Sequence, residues 1–268
     1  MPDLFVFAAV LAVAGALAGL IAGLLGVGGG IVIVPVLFYL LPAAGVPEHL
    51  CMHMAVGTSL ATIVTTSIVS ARSHYRRGGV DVALLKGLAP SILVGAVIGV
   101  ILGGEASGST LTLIFAVVAL AVSVHMAFFK GRKIGTEGVP GQPVRSLIGF
   151  IIGGFSVVMG IGGGTLSVPI FSLSGMEIRR AVGTAAAIGL LIALPGATGF
   201  AITGRGEPGL PQGSLGYVNL IGFALIAPLS MLLAPVGARL AHTIPQAWLS
   251  RVFALFLALT SIRMLMSL

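Results

Sequence analysis

The residues best placed to do chemistry lie in two short glycine-rich stretches. Gly26–Pro35 reads GVGGGIVIVP and Gly160–Pro169 reads GIGGGTLSVP, six of ten residues identical at an offset of 134. Consecutive glycines each forgo about 1 kcal/mol of helix propensity relative to Ala, so both runs read as helix breaks. A helix that restarts after such a break presents unbonded N–H groups and the positive end of its dipole, a setting suited to an anion. The candidate contacts are Gly28, Gly29 and Gly30 in the first stretch, and Gly162, Gly163, Gly164 and Thr165 in the second. A dinucleotide loop would need Gly where Ile31 stands, and a phosphate loop would need a following Lys-Ser/Thr. Glycines that only pack helices together would need one per turn, as Gly15, Gly19 and Gly23 or Gly95, Gly99 and Gly103 provide.

A second repeated element is Ala-Val-Gly-Thr, at Ala55–Thr58 and again at Ala181–Thr184, an offset of 126. Gly57 and Gly183 permit close approach of backbone or ligand. Thr58, Ser59 and Thr184 could donate to an anion's oxygens or bond back to their own helix. Asp81 and Asn219 match each other ahead of apolar runs and read as helix N-caps. Four ionisable residues are candidates for proton coupling or anion attraction: His53, His125, Arg179 and Arg180. Arg263 reads as a residue that snorkels to the interface. No His/Cys/Asp/Glu grouping has metal-ligand spacing and no nucleophile system stands out, so neither enzyme chemistry nor a metal or other cofactor is expected. The single cysteine, Cys51, excludes an intrachain disulfide and reads as a small buried residue.

The elements that must position these residues are apolar helices. Of 268 residues, 57% are hydrophobic and only 8% charged, with mean hydropathy +1.16. Soluble domains carry roughly a quarter charged residues, so the chain is read as an integral membrane protein. Its net charge of +7 sits in short loops and does not point to nucleic acid. A bilayer-spanning helix takes about 20 apolar residues, and 10–14 suggest a partial segment. By that measure the segments are Leu4–Leu25, a short Gly30–Leu41, Met52–Ala71, Val82–Gly103, Thr110–Phe129, Ser146–Met159, a short Gly164–Leu173, Ala181–Thr203, Leu215–Leu240 and Ala247–Met266. The first of these lacks the basic start and small-residue cleavage site of a signal peptide. The stretch 130–145, KGRKIGTEGVPGQPVR, reads as a flexible cytoplasmic linker.

The linker separates a first membrane repeat, 1–129, from a second, 146–268. Val80-Asp81 matches Val218-Asn219, Pro90 matches Pro228, Gly99 matches Gly237, and Phe115, Ser123 and Met126 match Phe253, Ser261 and Met264, all at an offset of 138. Colinear matches of this kind indicate a duplication. If all ten segments reverse direction, twelve basic residues fall on one side and Arg205 and Arg263 on the other. The twelve are Arg72, Arg76, Arg77, Lys86, Lys130, Arg132, Lys133, Arg145, Arg179, Arg180, Arg239 and Arg251. The positive-inside rule makes that side cytoplasmic and puts both termini outside. Five reversals per repeat make the halves inverted. If each short segment instead continues the helix before it, there are eight spans and the asymmetry weakens. The expected fold is an all-α polytopic membrane protein of two inverted repeats, each with a half-helix after its glycine break.

With G-x-G-G-G-x-x-x-V-P after the first helix, A-V-G-T before a later one, and both again in the second half, the chain resembles the TauE/SafE sulfite exporter family over about Leu4 to Met266. The resemblance implies a multi-pass carrier of the bacterial-type inner membrane for sulfur-containing anions such as sulfite, sulfonates or sulfoacetate. The motif positions it carries over are Gly26, Gly28, Gly29, Gly30, Pro35, Gly57 and Thr58, with Gly160, Gly162, Gly163, Gly164, Pro169, Gly183 and Thr184. Thr165 and Ser167 stand where the first half has Ile31 and Ile33, which makes the second break the more polar. The expected partners are a small anion, the lipid bilayer and, as a candidate coupling ion, the proton. Two mechanisms are open at this point: a carrier working by alternating access, and an anion channel that uses the breaks as a filter. The oligomeric state cannot be read, since small-xxx-small faces pack within a chain as readily as between chains.

Overall fold

The computed structural model describes residues 4–26, 28–128, 141–240 and 246–268. Val27, the linker residues 130–140 with Lys130, Arg132 and Lys133, and 241–245 lie outside the described residues. Ten α-helices are described: α1 Leu4–Leu25, α2 Gly30–Leu40, α3 Glu48–Tyr75, α4 Val82–Glu105, α5 Gly108–Phe128, α6 Val144–Val158, α7 Gly164–Leu173, α8 Ile178–Thr203, α9 Leu220–Leu240 and α10 Gln246–Leu265. Six of them (α1, α3, α4, α5, α8 and α9) are long and apolar enough to cross a membrane, while α2, α6, α7 and the segment Ala254–Leu265 of α10 are shorter.

Several boundaries differ from the sequence reading, among them α8, which begins three residues early at Ile178, and two have a clear local reason. Helix α3 begins four residues early because Pro47, extended at φ −56° and ψ 137°, sets up a helix start with Glu48 in its first turn. The segment expected from Leu215 begins only at Leu220. The residues before it form a two-stranded hairpin, β1 Ser214–Leu215 with β2 Val218–Asn219, turned at Gly216 with φ +54°.

The four most extensive helix contacts, α1 on α9, α4 on α6, α3 on α8 and α5 on α10, each join the first half of the chain to the second. Glycines make these approaches close. A methyl on Gly15 would lie 2.5 Å from the Ile226 carbonyl oxygen, and one on Gly99 2.6 Å from that of Gly154. The small-xxx-small glycines are therefore packing residues. Large apolar side chains such as Val13, Leu102, Leu232, Leu255 and Leu259 point outward, which suits hydrocarbon and not water.

The molecule has two distinguishable ends. At one, Arg77 donates to the Ala238 carbonyl at 3.1 Å, Arg180 pairs with Asp81 at 2.8 Å, and Arg145 lies beside Gly87. We call it the charged end. At the other, the hairpin end, Gly108 meets His49, Gly209 meets Pro47, and Arg263 stacks over Tyr39 at 4.8 Å. Helix α1 runs from the hairpin end to the charged end, where its Gly23 carbonyl faces His74 of α3. The chain then doubles back, so that Gly29 lies against Ala18 in the middle of α1, and α2 returns to the hairpin end. Helices α6 and α7 do the same from the other side, since Arg145 of α6 and Gly175 after α7 line one cavity at the charged end.

Candidate functional site

The two glycine breaks meet. A methyl on Gly28 would lie 3.0 Å from the Gly162 Cα, so the broken backbones are in van der Waals contact. Ser59, midway along α3, donates to the Gly160 carbonyl at 2.7 Å and ties that helix to the second break. A methyl on Gly30 would strike Ile63 at 2.7 Å and Ser59 Oγ at 2.9 Å, and one on Gly163 would strike Ile188 at 2.5 Å. No side chain fits at either place. Among the described residues, the N–H groups of Gly30 and Ile31, and of Gly162, Gly163 and Gly164, make no hydrogen bond. The first bonds of the short helices are Val32 N–H to Gly29 O at 3.0 Å and Thr165 N–H to Gly162 O at 3.4 Å, the latter followed by Ser167 N–H to Gly163 O at 2.8 Å.

The breaks differ in backbone. Gly26, Gly28 and Gly29 all have positive φ (+67°, +76°, +80°), whereas in the second run only Gly160 does (+65°). Gly163 is already helical at φ −51°. The second break is also the more hydroxylated: Thr165 and Ser167 are 2% and 0% exposed and neither hydroxyl has a partner. Buried side-chain hydroxyls almost always find one, which sets these two apart.

The Ala-Val-Gly-Thr elements sit about one third of the way along α3 and within the first two turns of α8. Here the close approach that Gly57 and Gly183 permit is by backbone. A methyl on Gly57 would lie 2.7 Å from the Tyr217 carbonyl oxygen, and one on Gly183 would collide with that of Gly79. The loops so admitted are then held by threonine. The Asn219 N–H donates to Thr58 Oγ1 and the Asp81 N–H donates to Thr184 Oγ1, both at 2.8 Å. Back-bonding to the threonine's own helix is not what occupies these oxygens, although each hydroxyl keeps its own hydrogen to give. Asp81 and Asn219 accept from Leu84 N–H (2.9 Å) and Gly222 N–H (2.7 Å), as N-caps of α4 and α9.

The ionisable candidates lie apart from the breaks. His53 is buried at the hairpin end, its Nε2–H donating to the Ala106 carbonyl at 3.0 Å and its ring 4.7 Å from that of Tyr217. Burial raises the Tyr217 phenol above its ordinary pKa, and the Glu207 carboxylate adds to the shift. His125 is half-buried on α5, which packs chiefly along α10 and α3. Arg179 is exposed at the charged end, and Arg180 is bonded to Asp81. Asp81 and Arg180, with Arg145 and Glu177, line a cavity of about 470 Å³ there. Among the described residues no three His, Cys, Asp or Glu side chains gather to hold a metal.

Sequence reasoning did not single out Ser67, Ser70 and Ser156. All three are buried without a hydrogen-bond partner. A methyl on Gly189 would sit 2.7 Å from Ser67 Oγ and 4.0 Å from the Gly162 Cα, which places Ser67 beside the second break. The available signal was the density of hydroxyls in TTSIVS, Thr65 to Ser70.

Three comparisons bear on this geometry. The family model for sulfite exporter TauE/SafE matches residues 11–264. A probable membrane transporter protein of Haemophilus influenzae is 37% identical over 97% of this chain and 99% of its own length. Probable membrane transporter proteins of Methanocaldococcus jannaschii and Bacillus subtilis are 24% and 28% identical over 84% and 73% of this chain, and 80% and 79% of their own lengths. No solved structure matches.

Proposed function

Since the chain belongs to the TauE/SafE sulfite exporter family and is a membrane transporter, not an enzyme, we propose that it carries a small sulfur-containing anion across the bacterial-type inner membrane by alternating access. The observation that carries this reading is the contact of the two glycine breaks, Gly28 against Gly162. Around it lie unbonded N–H groups from the starts of α2 and α7, with the buried hydroxyls of Thr165 and Ser167 alongside. Irregular backbone at membrane depth is stable only when protein buries it or when it lines a polar cavity. Paired half-helices whose N-termini converge are the arrangement by which carriers take the charged group of an anionic substrate.

The inverted-repeat reading is part of the proposal. It is supported by partners that recur at one offset: Gly57 faces residue 217 and Gly183 faces residue 79; Thr58 takes the N–H of 219 and Thr184 that of 81. The charged end is assigned to the cytoplasm, which puts both termini in the periplasm. Export down a negative-inside potential gains about 2.3 kcal/mol per charge per 100 mV, so an exporter needs no proton, and any coupling through His53 is a further refinement.

The test is flux in proteoliposomes with sulfite, sulfate, sulfoacetate, taurine and chloride, with and without a pH gradient. Saturable flux of sulfur oxyanions, with counterflow, is expected. Single-channel currents would instead assign the breaks to a channel filter, and absence of any anion flux would overturn the reading.

A further inference from the structure

Between Thr62 and Ser70 the hydroxyls of α3 fall into two groups. Thr62, Thr65 and Thr66 bond back to the carbonyls of Thr58, Thr62 and Thr62 at 3.0, 2.8 and 3.0 Å. Ser67 and Ser70, on the next turn, do not: they are 1% and 2% exposed and their Oγ atoms have no partner. A serine in a helix can always bond back to its own preceding turn, so an unbonded buried hydroxyl is not forced by the helix. Leaving it so is a cost that packing alone does not offset.

Ser67 and Ser70 are also placed in line. With His74 they occupy positions i, i+3 and i+7, one stripe of α3. Ser67 lies against Gly189 of α8 beside the second break, and His74 lies against Gly183 at the charged end. The stripe therefore runs from the breaks to the charged end along the α3–α8 seam. By the offset of 126 that relates the Ala-Val-Gly-Thr elements, the matching positions on α8 are Ala193, Gly196 and Phe200. Those line the leg of the same seam that leads to the hairpin end, where Phe200 is fully buried and its ring lies 6.2 Å from that of Tyr217. One leg of the seam is polar; the other is apolar and ends in aromatic rings.

We propose that Ser67 and Ser70 line the leg of the substrate path between the glycine breaks and the charged end, and that they donate hydrogen bonds to an oxyanion passing along it. The Phe200–Tyr217 pair, with His53 behind it, is then the barrier on the opposite leg. The inference rests on the transporter reading but names residues which that reading does not use. An oxyanion with several acceptor oxygens suits two O–H donors one turn apart, whereas neutral solutes gain less, because hydrogen bonds to a charged acceptor are the stronger ones.

The single native cysteine allows a direct test. In the full chain with Cys51→Ser, reconstituted in sealed vesicles and shown to keep its flux, Ser67→Cys, Ser70→Cys, Ala193→Cys and Gly196→Cys are each treated with the anionic 2-sulfonatoethyl methanethiosulfonate. Modification at 67 and 70 from the charged-end side is expected to be about tenfold faster than at 193 and 196, a difference of about 1.4 kcal/mol in barrier. Sulfoacetate, which unlike sulfite does not cleave the mixed disulfide, should slow it. Equal rates at all four positions in transport-competent protein would overturn the inference and leave the transporter reading standing. Loss of anion flux in the unmodified background would instead count against that reading. Should a cysteine variant fail to fold, Ser67→Ala and Ser70→Ala are compared with Ser67→Thr. Alanine is expected to lower oxyanion flux about tenfold, and threonine, which keeps the donor, to restore it. Unchanged flux in the alanine variants would overturn the inference.

Discussion

Two loops cross the α3–α8 pair, one at each end, and they are built alike up to a single side chain. At both, a helix glycine admits loop backbone, a threonine oxygen accepts the loop N–H at 2.8 Å, and the residue that gave the N–H caps the next helix. At the hairpin end that residue is Asn219, neutral, with the buried Tyr217 and Val218 beside it. At the charged end it is Asp81, whose second oxygen accepts from the half-exposed Arg180 beside an open cavity. The shared part is what any fold needs to lock a loop to a helix without leaving buried N–H groups unpaired. The part that differs makes one crossing neutral and buried and the other charged and open to a cavity.

The largest effect should come from the shared glycines. Gly57→Ala and Gly183→Ala push a methyl into the Tyr217 and Gly79 carbonyls. Backbone cannot yield as a side-chain tip does, so each should cost about 1–3 kcal/mol or more and lower the thermal midpoint in detergent at both ends alike. Next, Thr58→Val and Thr184→Val leave the Asn219 and Asp81 N–H groups buried without an acceptor, a loss of about 1–3 kcal/mol each. If only one of the two destabilised the protein, the crossings would not be equivalent.

The breaks sharpen the comparison in a different way. Gly29→Ala adds left-handed strain at φ +80° to the steric conflict, whereas Gly163→Ala, at φ −51°, meets only Ile188 and Ile192. The first should be worse by about 1–2 kcal/mol, read as a larger fall in midpoint. Smallest of all, Asp81→Asn keeps the cap and loses only an ion pair whose arginine is 52% exposed, worth about 0–1 kcal/mol. The reciprocal Asn219→Asp sets a carboxylate in the buried crossing and should destabilise more. A midpoint ranking that reverses these two would break the assignment of a charged end and a neutral one.

Much of this was legible in the chain because the signals are local. Glycine runs break helices, apolar length sets spans, and the described helices fall where ten apolar segments were read, with Leu4–Leu25 and Gly164–Leu173 reproduced end to end. Asp81 and Asn219 as caps followed from residue type and position. What could not be read was anything decided across the fold. Whether Thr58 bonded to its own helix, to an anion or to a loop depended on where residue 219 lies, 161 positions away. The approach of Gly28 to Gly162 likewise depends on how the two halves interlock. Ser67 and Ser70 escaped notice because serine in an apolar helix usually bonds back to its own turn, and only the structure reveals that these two do not.

The account rests on the paired breaks as the place where the anion binds. The most direct measurement is sulfoacetate counterflow in proteoliposomes for the native chain and for Gly162→Ala, which changes the residue that Gly28 packs against at a position outside the left-handed region. The account predicts saturable counterflow in the native protein and a loss of about tenfold or more in the variant, measured on folded protein. Native-level counterflow in a folded Gly162→Ala protein would contradict it.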